Sequence, residues 1–233
     1  MLVLETATDV CSLALCEGPR LLAALDLHLP RAHGALLAPA IEQLLGWAGL
    51  APPALAAVAV SAGPGSYTGL RIGLATAKGL CFALGLPLVA VPTLAGLAAQ
   101  AAPLAQALPD AARARIVPLL DARRREVYVA HYDAQGRALA PAQAHILTEE
   151  SFLAELAAGP VLFVGAAAAK LAGLPAARHP QALLLPELAP SARALGPLAA
   201  ARLAAGQVED LAGFEPLYLK PVHIGPGGGG VNA

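Results

Sequence analysis

The sequence predicts an α/β protein with two lobes of similar construction. In the first 97 residues, three strand-like segments are followed by alternating helices and strands, in the order βββαβα and one more strand. The same order begins again after residue 113. A chain of 233 residues is long enough for one large domain or two modest lobes with a substantial core.

The first lobe is predicted from short apolar runs separated by turn residues, and from apolar residues that recur at helical spacing. Leu36, Ala40 and Leu44 give the first helix, in which Pro39 is tolerable only in the first turn or at a kink. The predicted elements are strands Leu2–Thr6, Cys11–Cys16 and Arg20–Leu27, helix His33–Gly46, strand Ala54–Ser61, helix Leu70–Leu84 and strand Pro87–Val91.

The second lobe follows an Ala- and Pro-rich stretch that we predict to be a hinge. Ser151 and Ser191 are predicted helix N-caps, and Gly206 a residue that ends a helix. The predicted elements are strands Arg115–Leu120, Glu126–Tyr132 and Arg137–Leu139, helix Ser151–Ala158, strand Val161–Gly165, and helices Ala166–Ala172 and Ser191–Ala205. The predicted divisions are an N-terminal lobe (1–97), a hinge (98–112), a C-terminal lobe (113–190), a C-terminal helix and strand that pack back on the first lobe (191–222), and a flexible tail (223–233).

Charge and hydropathy exclude several classes of function. A net charge of −1 gives no broad electrostatic surface for independent binding to nucleic acid or acidic membranes. The uncharged run from Gly79 to Pro109 is interrupted by prolines, so it does not predict a membrane span. Met1–Val10 does not resemble a signal peptide, and we expect a cytoplasmic protein. The three cysteines are expected to be small buried hydrophobes.

A glycine-rich segment between a strand and a helix is the strongest local feature. Its glycines allow a tight turn and leave backbone N–H groups at the positive end of the helix. The pattern is consistent with two structures, a purely structural elbow or a site for an anion or nucleotide. The candidate residues of that site are Gly63, Gly65, Ser66, Thr68 and Gly69.

The helix after this segment is apolar on nearly every side. Its small residues Gly73, Ala77 and Cys81 recur at i, i+4 and i+8, which indicates either close approach of another chain or burial within the monomer. Arg71 lies near the positive end of the helix dipole, where a cation is disfavoured. We therefore expect Arg71 to have a partner, either a carboxylate of another subunit or a phosphate near the glycine segment.

Several motifs together resemble the TsaB (YeaZ) family. They are LETAT at 4–8, RAH at 31–33 followed by LLAPAI at 36–41, GPGSYTGLRIGLATAKGL at 63–80, PLVAVPTLAGLA at 87–98, and PLYLK at 216–220. The second lobe is similar mainly in length and element order. The resemblance implies the two-lobed fold of the actin, Hsp70 and sugar-kinase (ASKHA) superfamily, with duplicated βββαβα units.

The resemblance also implies a function. TsaB-like proteins are non-catalytic relatives of the TsaD subunit, which transfers the threonylcarbamoyl group to the adenosine beside the tRNA anticodon. It implies binding to a TsaD-like subunit and a TsaE-like ATPase, contact with tRNA only through the complex, and a homodimer when TsaD is absent. The implied interface lies on the first two helices, at His33, Leu36, Leu37, Ala40, Leu44, Arg71, Gly73, Leu74, Ala77 and Cys81.

The resemblance predicts no catalytic residue, no metal and no tightly bound cofactor, with ATP or ADP only at the interface of the complex. Thr93 and Leu97 stand where TsaD-like proteins have a His-x-x-x-His pair, and the six histidines are scattered. An alternative function is a free-standing ATP-dependent phosphotransferase of the same fold. Such enzymes place an Asp in the first phosphate loop, where this chain has Glu5. A peptidase is a further alternative, against which the lack of a nucleophile or metal motif argues.

Overall fold

A computed structural model describes residues 1–220, which form two five-stranded sheets and their covering helices. The first sheet contains β1 (Leu2–Glu5), β2 (Cys11–Glu17), β3 (Arg20–Leu27), β4 (Val58–Ser61) and β5 (Leu88–Val91). The second contains β6 (Arg115–Asp121), β7 (Glu126–Asp133), β8 (Ala138–Ile146), β9 (Val161–Val164) and β10 (Ala182–Leu185). The α-helices are α1 (His33–Trp47), α2 (Tyr67–Leu84), α3 (Thr93–Gln106), α4 (Leu153–Ala158), α5 (Pro175–Arg178) and α6 (Ala192–Ala204), with 3₁₀ turns at Pro52–Ala54 and Ala166–Leu171.

The two sheets have the same topology. In the first, the strand order is β3-β2-β1-β4-β5, with β1, β2 and β3 antiparallel and β4 and β5 parallel to β1. In the second, the order β10-β9-β6-β7-β8 repeats this arrangement around β6. The predicted two-lobed α/β fold with duplicated units is confirmed.

The first sheet is covered on both faces because side chains alternate along its central strands. Leu2 and Leu4 of β1 point into the core shared with α1 and α2, whereas Val3 points to the opposite face, against α6. The C-terminal helix therefore packs on the first sheet. There Gly196 of α6 leaves room for the thiol of Cys16, since a Cβ would lie 2.5 Å from its Sγ.

The segment predicted as a hinge is mostly helical. Helix α3 begins at Thr93 and continues to Gln106, so the predicted boundary at residue 97 falls inside it. Alanine is the best helix former, and Ala98, Ala101 and Ala105 fall on one side of α3, buried against the second sheet. Composition indicated a linker here, but the helical spacing of the small residues determines the structure.

Other differences concern element ends and short elements. Ser151 does not cap α4, because its hydroxyl accepts the N–H of Thr148 at 2.9 Å and Phe152 lies at the cap position. Ser191 does cap α6, and Gly206 adopts a positive φ after it. The sequence did not predict α5 or β10. Residues 214–220 are irregular where a strand to Val222 was predicted, and the predicted flexible tail at 223–233 lies outside the described residues.

Among residues 1–220, none of the helices is long and apolar enough to cross a membrane. The three cysteines are buried and unpaired, as the sequence predicted.

Candidate functional site

The glycine segment is held against the turn that follows β1. The N–H of Ser66 donates to the carbonyl oxygen of Ala7 at 2.7 Å, and the Ser66 hydroxyl accepts the N–H of Gly69 at 3.2 Å as the N-cap of α2. On the other side, the Gly63 carbonyl accepts the N–H of Thr93 at 3.0 Å. The segment therefore connects β1, α2 and α3.

Three glycines of this region are required by close packing. A Cβ at Gly65 would overlap Ala7, and a Cβ at Gly69 or Gly73 would overlap Thr6. The glycines thus let the turn after β1 lie directly on the first two turns of α2. Of the two interpretations of the glycine pattern, the structural elbow explains these three positions. In addition, the N–H groups of Ser66 and Gly69 already donate hydrogen bonds within the chain.

Glu5 lies at the carboxyl end of β1 and is completely buried. One oxygen of its carboxyl group, Oε1, accepts the N–H of Ala7 at 2.7 Å, so Glu5 caps this turn. The other oxygen, Oε2, has no hydrogen-bond partner among residues 1–220. Burial raises the pKa of Glu5 to about 7, although the N–H of Ala7, which donates to the carboxyl group, acts to lower it. A buried carboxyl group of this kind does not face solvent as a metal-binding acid in a phosphate loop would.

A hollow of about 430 Å³ opens where the N-terminal ends of α1 and α2 approach the turn after β1. It brings together His33 and the predicted anion-site residues Ser66, Thr68 and Gly69. The other lining residues are Thr8, Asp9, Arg31, Gly34 and Ile72. The imidazole of His33 is buried, with its Nε2 3.3 Å from the carbonyl oxygen of Val10. The remaining predicted anion-site residues, Gly63 and Gly65, do not line the hollow.

Most of the residues expected to contact a partner are buried in the monomer. Gly73, Ala77 and Cys81 face their own sheet, so the small-residue face of α2 packs within the core. The expectation that this face contacts another chain is wrong, because the first sheet already covers it. The other expected contact residues that are buried are His33, Leu37, Ala40, Leu44 and Leu74. Leu36 is half-buried and Arg71 is exposed.

Away from the core, both helices carry apolar and small side chains that are exposed in the structure of residues 1–220. Phe82 of α2 is 83% exposed and Trp47 of α1 is 68% exposed. We call this side the outer helix surface. Its residues are Ala35, Ala38 and Pro39 of α1 and Thr68, Arg71, Ala75 and Phe82 of α2, whereas Trp47 lies on another side of α1. An exposed aromatic side chain beside small and apolar residues is typical of a protein–protein contact surface.

Arg71 has a partner of a kind that we did not expect. Its Nη1 donates to the Tyr67 hydroxyl at 2.6 Å, and the guanidinium lies 5.2 Å from the centre of the Tyr67 ring. Because α2 begins at Tyr67, Arg71 is in the second turn, where the helix dipole disfavours a cation less.

The segment from Phe214 to Lys220, which we call the C-terminal strap, connects the two sheets. The N–H of Leu217 donates to the Ala62 carbonyl at 2.8 Å, just after β4. The Tyr218 ring packs against the Tyr67 ring, with 5.2 Å between the ring centres and 48° between the ring planes. Lys220 donates from Nζ to the Ala122 carbonyl at 3.2 Å and pairs with Glu126, at the β6–β7 hairpin. The strap therefore crosses the carboxyl ends of the parallel strands, where α/β sheets commonly bind ligands.

Thr93 and Leu97 lie in the first turns of α3 and are fully buried. No group of three or more His, Cys, Asp or Glu side chains within residues 1–220 is arranged to hold a metal ion. His131 contacts Glu155 and His145 contacts Ser151, each in the second lobe.

Comparison with known proteins identifies the family. The model of the family described as TsaD, tRNA N6-adenosine threonylcarbamoyltransferase, matches residues 28–215. The tRNA threonylcarbamoyladenosine biosynthesis protein TsaB of Bacillus subtilis (strain 168) is 32% identical over 168 residues, which are 71% of this chain and 70% of that protein. The solved structure of YeaZ from Pseudomonas aeruginosa has a TM-score of 0.77 at 33% identity, covering 94% of this chain and 98% of that one.

A more distant structure shows the fold alone. The activator of the 2-hydroxyisocaproyl-CoA dehydratase from Clostridium difficile has a TM-score of 0.50 at 13% identity, covering 89% of this chain and 96% of that one. With the duplicated sheets, these similarities define a protein of the ASKHA fold class. Within that class, the chain belongs to the TsaB (YeaZ) family.

Proposed function

We propose that this chain is a non-catalytic subunit in the biosynthesis of threonylcarbamoyladenosine in tRNA, acting in the cytoplasm with a TsaD-like catalytic subunit and a TsaE-like ATPase. One observation carries the non-catalytic assignment. Thr93 and Leu97, both buried in α3, occupy the positions at which TsaD-like proteins are expected to have their histidine pair. Neither side chain offers a nitrogen ligand to a metal.

The outer helix surface supports the contact with a TsaD-like subunit. The buried side of α2 cannot take part, whereas Ala75 and Phe82 are exposed on the side of the same helix away from the core. Small residues let a partner helix approach closely, and an aromatic side chain supplies an anchor. In the absence of the TsaD-like subunit, we expect this surface to pair two copies of the chain.

Two features disfavour a free-standing phosphotransferase. Glu5 is enclosed and bonded to Ala7, and the C-terminal strap lies across the ends of β4 and β6. We expect nucleotide only in the assembled complex, where the hollow beside Thr68 and Arg31 is next to the outer helix surface. The chain by itself is expected to bind no nucleotide tightly.

The proposal is tested by reconstitution. The chain is mixed with the TsaD-like and TsaE-like proteins of the same cell, unmodified tRNA, ATP and the threonylcarbamoyl donor, and the modified nucleoside is measured by mass spectrometry. We expect product only when all three proteins are present, and none from this chain alone. Product formed equally well without this chain would contradict the proposal. Turnover of ATP by this chain alone, with transfer of phosphate to a small molecule, would favour the phosphotransferase.

A further inference from the structure

The hairpin between β6 and β7 carries three consecutive exposed arginines, Arg123, Arg124 and Arg125. The turn is closed by the N–H of Glu126, which donates to the Arg123 carbonyl at 3.1 Å. Arg123 and Arg124 adopt φ values of 70° and 51°. Residues other than glycine, asparagine and aspartate rarely adopt this left-handed backbone conformation. The backbone of the turn therefore does not favour arginine.

The three guanidinium groups have no hydrogen-bond or ion-pair partner among residues 1–220, although most other arginines do. Arg113 and Arg137, in the same lobe, are paired with Asp110 and Asp133. The hairpin arginines therefore do not stabilise the fold through contacts of their own. The positive φ values and the mutual repulsion of the three guanidinium groups are both unfavourable, and no contact within the monomer offsets them.

The hairpin is held in place by two lysines. Lys170 donates to the carbonyl oxygens of Arg124 and Glu126, each at 2.9 Å, and pairs with Asp121. Lys220 of the C-terminal strap donates to the Ala122 carbonyl on the other side. A hollow of about 260 Å³ lies beside the turn and is lined by Arg124, Arg125 and Lys170, with Leu147, Ala172 and Leu174. The hairpin and its two lysines thus carry five cations against the two carboxylates of Asp121 and Glu126, in a chain whose net charge is −1.

We infer that this hairpin, which we call the arginine hairpin, binds the phosphodiester backbone of tRNA within the assembled complex. The inference rests on the proposed function, which brings tRNA to this chain. Guanidinium groups match phosphate oxygens in geometry and charge, and adjacent phosphates along an RNA strand offer a row of acceptors for three arginines. An acidic protein surface fits less well, because the three adjacent tip residues include no apolar or aromatic anchor. The low net charge explains why the chain needs its partners to retain RNA.

The test compares tRNA binding by the reconstituted complex containing wild-type chain or the variant R123Q/R124Q/R125Q. Labelled unmodified tRNA is titrated between about 50 and 200 mM salt, the range in which phosphate contacts dominate. Loss of three contacts is expected to weaken binding roughly tenfold or more, and to reduce the slope of log K against log salt by about 2 to 3. The matched control, R113Q/R137Q/R178Q, removes the same charge from exposed positions of the same lobe and should bind as the wild type does.

The outcomes separate the inference from the proposed function. Unchanged affinity and salt slope in R123Q/R124Q/R125Q, with an unchanged thermal melt, overturn the inference. Loss of binding to the TsaD-like subunit instead of tRNA also overturns it, and assigns the hairpin to an acidic protein surface. An equal loss in the control shows a general charge effect and contradicts a specific site. Failure of the proposed function is seen in the wild-type complex itself, which would then form no modified nucleoside.

Discussion

The backbone N–H of Leu217 donates to the carbonyl oxygen of Ala62, 155 positions earlier in the chain, at 2.8 Å. A Cβ at Gly63 would lie 2.9 Å from the Leu217 carbonyl oxygen, so the two segments are in close contact. The C-terminal strap is therefore part of the structure around the glycine segment. Its contacts with Tyr67 on one side and the β6–β7 hairpin on the other connect the first sheet to the second.

The tilted aromatic pair Tyr67–Tyr218 is expected to stabilise this connection. Aromatic pairs contribute about 0.5–1.5 kcal/mol beyond the area they bury. A double-mutant cycle with Tyr67→Leu and Tyr218→Leu, measured by urea unfolding, should give a coupling energy of about 1 kcal/mol. The same cycle with Tyr128→Leu in place of Tyr67→Leu should be additive, because Tyr128 lies in β7 and does not stack on Tyr218. Additivity in both cycles would show that the stacking contributes nothing.

Two glycines of α2 should respond to alanine in opposite directions. Gly69→Ala places a methyl group against the carbonyl oxygen of Thr6, and overpacking against backbone costs about 1–3 kcal/mol. Gly79→Ala meets no atom within 4 Å and is expected to raise the free energy of unfolding by about 0.5–1 kcal/mol, since alanine favours the helix. Thermal melts of the two variants provide the measurement. A Gly69→Ala protein as stable as the wild type would remove the packing explanation for the glycine segment.

Glu5 should make stability depend on pH. Its pKa is raised to about 7 by burial, so the stabilisation from its protonated form is fully present below about pH 4.5 and is lost as the pH rises through 7. The shift corresponds to about 3 kcal/mol at pH 8. We expect the wild type to lose stability between pH 5 and pH 8 relative to Glu5→Gln, which cannot ionise. Parallel curves of unfolding free energy for the two proteins over this range would show that Glu5 does not titrate there.

Arginine substitutions at two alanines of α2, Ala75 and Ala77, test which side of the helix faces the core. Ala75→Arg adds a cation on the exposed side and should leave the chain folded, while blocking close approach of a partner helix. The loss of a buried contact costs about 2–4 kcal/mol, or roughly 30- to 1000-fold in affinity for the TsaD-like subunit. Ala77→Arg places the same charge in the core and should unfold the chain.

Circular dichroism, a thermal melt and a binding titration are to be run on both alanine variants. Ile146→Arg, an exposed apolar position on β8, serves as the control and should bind normally. Normal binding by a folded Ala75→Arg protein would exclude this part of α2 from the interface. A folded Ala77→Arg protein would contradict the packing of α2 against the first sheet.

The sequence by itself determined the fold class, most strands and the ends of several helices. Short apolar segments predicted β1 to β7, and Ser191 with Gly206 marked the limits of α6, because strand formation and helix capping depend on local patterns. Motif resemblance also identified the family. The apolar character of α2 predicted that the helix is covered on more than one side, but the sequence left open whether Gly73, Ala77 and Cys81 face another chain or the core of the monomer.

Only the tertiary structure decided which stripe faces the core. Gly73, Ala77 and Cys81 lie against Thr6 and the first sheet, which leaves Arg71, Ala75 and Phe82 outside. Helical periodicity shows which residues share a face of the helix. Which of those faces is buried depends on where the sheet lies. Likewise, the strap at Leu217 and the bracing of the arginine hairpin by Lys170 join residues far apart in the chain. Such contacts depend on how the two sheets are placed, and local sequence patterns do not encode that placement.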